Sequence, residues 1–313
     1  MRPSTTSRPR PLPDAAGAGP TAWRFEAIGT LWQIDTDAPL APAVRQRVTE
    51  RIAVYDRAWS RFREDSLVAR IATAPGSYAL PAEAGDLLEV YRALYAATDG
   101  AVSPLVGRSL EALGYDRAYS LRPGGPPLAA PRWEDAVAWD GATLTTVRPT
   151  LLDVGAAGKG QLVDLVLDEL ARAGVTAAIV DAGGDIRRRG SGRIRVGLEH
   201  PGDATRAIGV VGLGDEAICA SAGNRRRWGA GLHHVLDATT GLPAARVLAT
   251  WAIAPTALVA DGLATALFFA DGGTLDRRLG GALGEFAWVR VLAGGRLEAS
   301  ADLRDGSRGE LFA

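Results

Sequence analysis

The sequence predicts a mixed α/β (α+β) fold, a largely antiparallel sheet with flanking helices, and three observations carry that prediction. Apolar residues recur at three- and four-residue spacing over residues 82–98 and 158–173, the mark of amphipathic helices. From residue 142 onward the rhythm changes to short apolar runs separated by tight glycine turns, which read as strands joined locally and so paired antiparallel. Hydrophobic residues make up 47% of the 313, enough to bury a large core between such layers.

Residues 1–22 hold Pro, Ser, Thr and Arg without an apolar run and are expected to be a disordered tail, with one domain over residues 23–313. Residues 23–36 read as a strand, Trp23, Phe25 and Ala27 alternating with polar neighbours. Residues 42–62 read as a helix. The helix over 82–98 shows Leu87, Leu88, Tyr91, Leu94 and Tyr95 on one face and is closed by Asp99 and Gly100. A Pro- and Gly-rich loop at 121–130 is where an internal boundary would fall. The helix over 158–173 presents Leu162, Leu165, Val166 and Leu170 and stops at Gly174. Strands are expected at 176–180, 193–198, 207–211, 217–220, 233–236 and 248–254, and a last helix at 256–269.

A formal net charge of -1 and a pI near 6.3 give no basic field, which argues against nucleic acid or an anionic membrane as partner and leaves small molecules or proteins. Cys219 is the only cysteine, so no internal disulfide or cysteine metal cluster can form; it reads as a small buried hydrophobe. The longest apolar stretch, around 247–270, is broken by Pro255 and Asp261, so no membrane span is expected. The expected location is the cytoplasm.

Lys159 is the one lysine among 35 basic residues, and it lies in the run DVGAAGKG, residues 153–160. A glycine turn opening a helix directs backbone amides and the positive helix end at an anion, so a phosphate contact is expected there. The run is neither a Walker A loop nor a dinucleotide fingerprint. Asp153, an acid closing an apolar strand, could bond a base or ribose edge, or the turn itself. In ALVADGLATALFF, Asp261 and Thr265 fall one turn apart on an otherwise apolar helix. A buried carboxylate there needs a partner: either a hard cation such as Mg²⁺, shared with phosphates, or an arginine.

His233 and His234 are adjacent in LHHVLDATTG and, in a strand, face opposite sides, so one of them enters a given site as acid, base or positioning group. His200 precedes a proline turn and reads as structural. VDAGGD, residues 180–185, reads as a hairpin turn, and SAGNRRRW, residues 221–228, as an anion site or a solvated loop.

Taken in order, GT at 29–30, SRF at 60–62, DGAVSP at 99–104, LDVGAAGKGQLVD, VDAGGD, ASAGNRRRW, HHVLDATTG and ADGLATALF resemble the ApbE family of FAD:protein FMN transferases over residues 28–270. The resemblance implies the ApbE-like flavin transferase fold, FAD as substrate, Mg²⁺, and transfer of FMN to a Ser or Thr hydroxyl of a target flavoprotein with release of AMP. It implies that Ile28, Ala101, Val102, Ser103, Asp153, Lys159 and Leu236 bind FAD. Ala156 and Ala264 through carbonyls, and Asp261 and Thr265 through side chains, would bind the metal, and His234 would be the base. Water as acceptor would make the chain an FAD pyrophosphatase, and loss of turnover a flavin-binding module. Ser103 stands where the family has Asp, Ala238 where it has Pro, and Ala72 near an expected Asn.

Overall fold

The computed structural model describes residues 21–312, so of the tail expected at residues 1–22 the first twenty residues lie outside the described residues. Thr21 and Ala22, assigned above to that tail, instead pair with Thr36 and Asp35 and begin the first strand. Strands β1 (Thr21–Ala27), β2 (Thr30–Thr36), β3 (Ala178–Ala182), β4 (Asp185–Arg189), β5 (Ala217–Ala222), β6 (Val247–Ala254), β7 (Ala287–Leu292) and β8 (Leu297–Ala299) form an eight-stranded sheet. Spatial order follows chain order, and every neighbouring pair is antiparallel.

The single strand expected over residues 23–36 is a hairpin. Ile28 and Gly29 have φ of 45° and 73°, the double positive-φ pattern of a two-residue hairpin turn, and Ala27 pairs with Thr30. Apolar alternation loosens at Ile28 and Gly29 and resumes in the other phase at Trp32 and Ile34, but isoleucine is an unusual residue at positive φ, so the letters do not announce a tight turn there.

Helices α1 (Pro42–Trp59), α2 (Ala84–Ala97), α3 (Gly158–Arg172), α4 (Ala257–Ala266) and α5 (Gly272–Leu279) make up the main helical layer, with α3 and α4 lying directly on the sheet. The expected helix over 42–62 ends at Trp59 because Ser60 is extended, with ψ of 111°. The other face of the sheet is covered by a three-stranded sheet of Ile194–His200, Asp203–Leu213 and Gly309–Leu311. Central strands are therefore buried on both sides, which is why β6 reads as an almost unbroken apolar run. Cys219, Ala252 and Ala254 face the helices, while Ile218, Trp251 and Ile253 face the smaller sheet. The small residues sit on the helical side, and they let α3 and α4 approach closely.

Residues 121–130 contain no helix or strand, as expected, but they divide nothing. Ala130 N–H bonds Ala238 O at 2.7 Å, and a Cβ on Gly241 would lie 2.2 Å from Leu128 O. One core continues from Leu87 and Leu94 of α2 to Leu263 of α4, so the loop is a strap across the surface rather than a boundary. Among the described residues no helix is long and apolar enough to cross a membrane.

Candidate functional site

The first turn of α3 and the middle of α4 meet at Gly160. Its N–H bonds Asp261 Oδ2 at 2.9 Å, and a Cβ there would stand 2.0 Å from Ala257 O, so only glycine fits the crossing. The amide expected to face a phosphate thus holds a protein carboxylate, favoured by the positive end of the helix. Lys159 pairs with Asp185 of β4 and donates to Ala182 O at 3.0 Å. Asp185 is fully buried and Asp261 nearly so, and Asp185 Oδ1 has no hydrogen-bond partner. Among the described residues no arginine pairs with either acid.

Two buried carboxylates therefore share one ammonium. Burial, then the Asp185 carboxylate, push Asp261 well above the usual carboxylate range, against the pull of Lys159 and the Gly160 amide. Burial opposes the charge of Lys159, but Asp185 and Asp261 together hold its pKa above the ordinary lysine value. Thr265, one turn along α4, donates from Oγ1 to Ala156 O at 3.3 Å. Asp261, Thr265 and Ala156 thus lie at the same crossing. The Ala264 carbonyl accepts the Thr250 hydroxyl at 2.6 Å, toward β6.

Leu151 to Val154 belongs to no helix or strand, a correction to the strand expected before the glycine turn. Asp153 N–H bonds Pro104 O at 2.8 Å, which ties the segment to the helical layer rather than to a neighbouring strand. The Asp153 carboxylate accepts Gly155 N–H at 2.7 Å on Oδ1 and Arg61 Nε at 2.5 Å on Oδ2. It both shapes the turn and holds a cation. Arg61 is 3% exposed, its guanidinium lies 4.2 Å from the Phe62 ring and 4.7 Å from the Tyr115 ring, and its Nη1 and Nη2 have no partners. Tyr91, read as a core residue, also accepts Ala156 N–H at 3.1 Å on its hydroxyl. Arg61 and Asp185 were inside quoted motifs, SRF and VDAGGD. Composition gave neither a role, because the partner of each is more than twenty residues away in the chain.

The expected strand at 233–236 is two short hairpin arms, Leu232–His233 and Leu236–Asp237, with a bend at His234. His233 turns inward, where its Nε2 lies 2.9 Å from Ala244 O and its Nδ1 accepts Val235 N–H at 3.3 Å. His234 is half-buried, and its Nδ1 has no partner. Burial, then the Arg226 guanidinium and His233, lower its pKa to about 3, with Asp153 acting in the opposite sense, so the ring is neutral at physiological pH. His200 is structural as read, its Nδ1 accepting Gly202 N–H at 3.0 Å.

Ala101, Val102 and Ser103 are buried beside this turn: Ala101 O accepts Ala238 N–H at 3.0 Å, and Ser103 Oγ caps the Pro104–Val106 turn through Leu105 N–H at 3.2 Å. Ser103 and Ala238, two of the departures from the family pattern, line one cleft of about 440 Å³ together with Tyr95, Gly100 and Thr239. Ala72 ends the short helix Leu67–Ile71, and its carbonyl accepts Arg108 Nη2 at 3.1 Å. Leu236 is buried in an aromatic cluster with Tyr115 and Trp228. Ile28 occupies the β1–β2 turn, next to Thr30, whose Oγ1 would be 2.2 Å from a Cβ on Gly183 of the VDAGGD turn.

The fold and the order of these segments agree with known proteins. The chain is 25% identical to an ApbE protein of Thermotoga maritima whose crystal structure superposes with a TM-score of 0.77, covering 90% of this chain and 97% of that one. The flavin transferase ApbE of Vibrio cholerae shares the fold, at a TM-score of 0.74 and 21% identity over 92% of this chain and 99% of that one. The FAD:protein FMN transferase of Rhodobacter capsulatus is 27% identical over 92% of this chain, which spans only 56% of that protein's length. The enzyme of the same name from Treponema pallidum (strain Nichols) is 28% identical over 77% of this chain and 76% of its own. The profile of the ApbE family matches residues 28–276, which include the α3–α4 crossing and every expected site residue. The chain belongs to the ApbE family.

Proposed function

We propose that this protein moves FMN from FAD onto a Ser or Thr hydroxyl of a target flavoprotein and releases AMP, with Mg²⁺ at the α3–α4 crossing. The observation that carries the reading is the meeting of Asp261, the Thr265 hydroxyl and the Ala156 carbonyl around an excess of buried negative charge. The orphaned Asp185 Oδ1, with two carboxylates on one ammonium, fits a hard divalent cation. Among the described residues no three His, Cys, Asp or Glu side chains cluster as metal ligands, which suits an ion that takes few protein oxygens and leaves the rest to phosphate and water. Asp261, Thr265 and Ala156 would hold it, with the Ala264 carbonyl, which accepts the Thr250 hydroxyl on one of its two lone pairs, able to add to them.

Mg²⁺, when bound, supplies charge neutralisation on the pyrophosphate. The chain's own residues do the rest. Lys159 adds a fixed positive charge at the turn, and Asp153 holds the turn in shape while fixing Arg61 between two rings. His234, kept neutral, accepts the proton of the target hydroxyl at Nδ1 as that oxygen bonds the FMN phosphorus and the bond to the AMP oxygen breaks. The negative pyrophosphate, together with Asp153, raises the basicity that burial has lowered. The proton then passes to AMP, so the products are a protein–FMN phosphodiester and AMP.

Incubation with FAD, Mg²⁺ and a Ser/Thr-containing acceptor fragment tests this. The expected result is an acceptor heavier by one FMN, with AMP in equal amount. Free FMN and AMP with an unlabelled acceptor would indicate hydrolysis instead, and unchanged FAD under any divalent ion a binding protein.

A further inference from the structure

Helix α4 carries both metal-set side chains, and its N-terminus is capped from another helix. An α-helix opens with four amides that have no intrahelical acceptor. Thr256 Oγ1 accepts one of them, Val259 N–H, at 3.3 Å, and the Thr256 carbonyl accepts the first intrahelical bond, from Ala260 N–H at 3.0 Å. Two more belong to Ala257 and Leu258, which are 0% and 7% exposed. They bond Asp164, Ala257 N–H to Oδ1 at 3.0 Å and Leu258 N–H to Oδ2 at 2.8 Å.

Asp164 lies on α3, one turn beyond Gly160. Along one face of α3 there are thus three successive ties to α4: the Gly160 amide on Asp261, the Gly160 Cα against the Ala257 carbonyl, and the Asp164 carboxylate on the first two amides. They hold α4 at two points, its first turn at Ala257 and Leu258 and Asp261 one turn on, so together they set how far α4 is pushed in and how it is rotated. Asp164 is itself held from β4, where Arg187 Nε is 3.5 Å away and is shared with Asp215 through Nη1 at 3.1 Å. The positive N-terminus of α4 favours the carboxylate over a neutral cap.

We propose that Asp164 is a positioning residue: it sets the register of α4 on α3 and thereby the direction in which Asp261 and Thr265 point. The proposal rests on reading those two as metal ligands. Asp164 contacts neither of them and acts through the first turn of α4. Because an asparagine carbonyl can accept one of the two amide bonds, Asp164→Asn should keep half of the cap, and Asp164→Ala none.

The test uses the full chain with FAD and Mn²⁺, whose binding is read by water-proton relaxation, and amide hydrogen exchange read by mass spectrometry on peptides spanning residues 256–260. A Leu303→Ala variant in the other core, far from α4, controls for general loss of stability. The expected result is a Mn²⁺ midpoint raised about tenfold or more in Asp164→Ala, a smaller rise in Asp164→Asn, and no change in Leu303→Ala. Exchange over the first turn of α4 should quicken in the same order. An Asp164→Ala midpoint within twofold of wild type, or an equal shift in Leu303→Ala, would overturn the proposal. If wild type binds no Mn²⁺, the metal reading fails and exchange alone decides: at least tenfold faster exchange in Asp164→Ala supports the positioning role, unchanged exchange refutes it. Should Asp164→Ala not fold, Asp164→Asn carries the same comparison.

Discussion

His234 stands with Nδ1 unpartnered and its pKa lowered from 6.5 to about 3, chiefly by burial. Between those values the unfolded chain takes up a proton at this ring and the folded chain does not. The contribution of His234 to stability is therefore lost as pH falls through that window. Replacing it by glutamine removes the titration, so the melting-temperature difference, wild type minus His234→Gln, should fall steadily from pH 7 to pH 4; a difference constant with pH would contradict the assignment. Lys159 and Asp261 share one buried cluster but carry different expectations. Lys159→Ala should weaken FAD binding while leaving cleavage measurable, because the ammonium is a fixed charge beside the turn. Asp261→Ala should abolish turnover, because it removes the one carboxylate on α4 that faces the crossing. Binding by fluorescence quenching and turnover by AMP release separate the two, and the reverse ranking would show the division to be wrong. Most of these residues were legible as candidates, since an acid on an apolar helix or one lysine among arginines is visible in the letters. Their partners were not: Asp185 for Lys159, Arg61 for Asp153 and Thr250 for Ala264 are reached only across the fold.

At the scale of elements, the α3–α4 crossing depends on one absent side chain. A Cβ on Gly160 would meet Ala257 O at 2.0 Å, with Asp261 Cβ at 2.7 Å, and neither backbone nor helix axis can yield cheaply. Gly160→Ala should cost about 1–3 kcal/mol or more, as overpacked cores do, and should break the Asp261 bond to the Gly160 amide. Chemical denaturation and AMP release measure the two effects; wild-type stability and turnover would refute the tight crossing. Helix periods were readable because burying one face of a helix forces a repeat near 3.6 residues. The β1–β2 turn and the bend at His234 were not, because the reversal is set by φ at Ile28 and by which histidine the core accepts.

At the scale of the whole molecule, an antiparallel sheet is covered by helices on one face and by a smaller sheet on the other, and the two cores are chemically different. The helical face of the central strands is lined by alanine and Cys219, and the opposite face by Trp251, Ile253 and Val289. Trp251→Ala should destabilise the fold by about 3–5 kcal/mol, the usual range for a truncated buried tryptophan, while Mn²⁺ binding with FAD at a temperature well below unfolding stays near wild type. A lost metal site in that variant would mean the two faces are coupled through the sheet. By itself the sequence determined the α+β class, the main helices, most strands and the residues able to do chemistry, because periodicity, glycine turns and residue type are local properties. Only the tertiary structure decided that residues 23–36 fold back, that His233 is structural, that the Ala264 carbonyl accepts Thr250, and that Asp164 caps a helix 93 residues away. Those outcomes turn on which donor meets which acceptor once water is excluded, and that pairing exists only when distant segments are packed together.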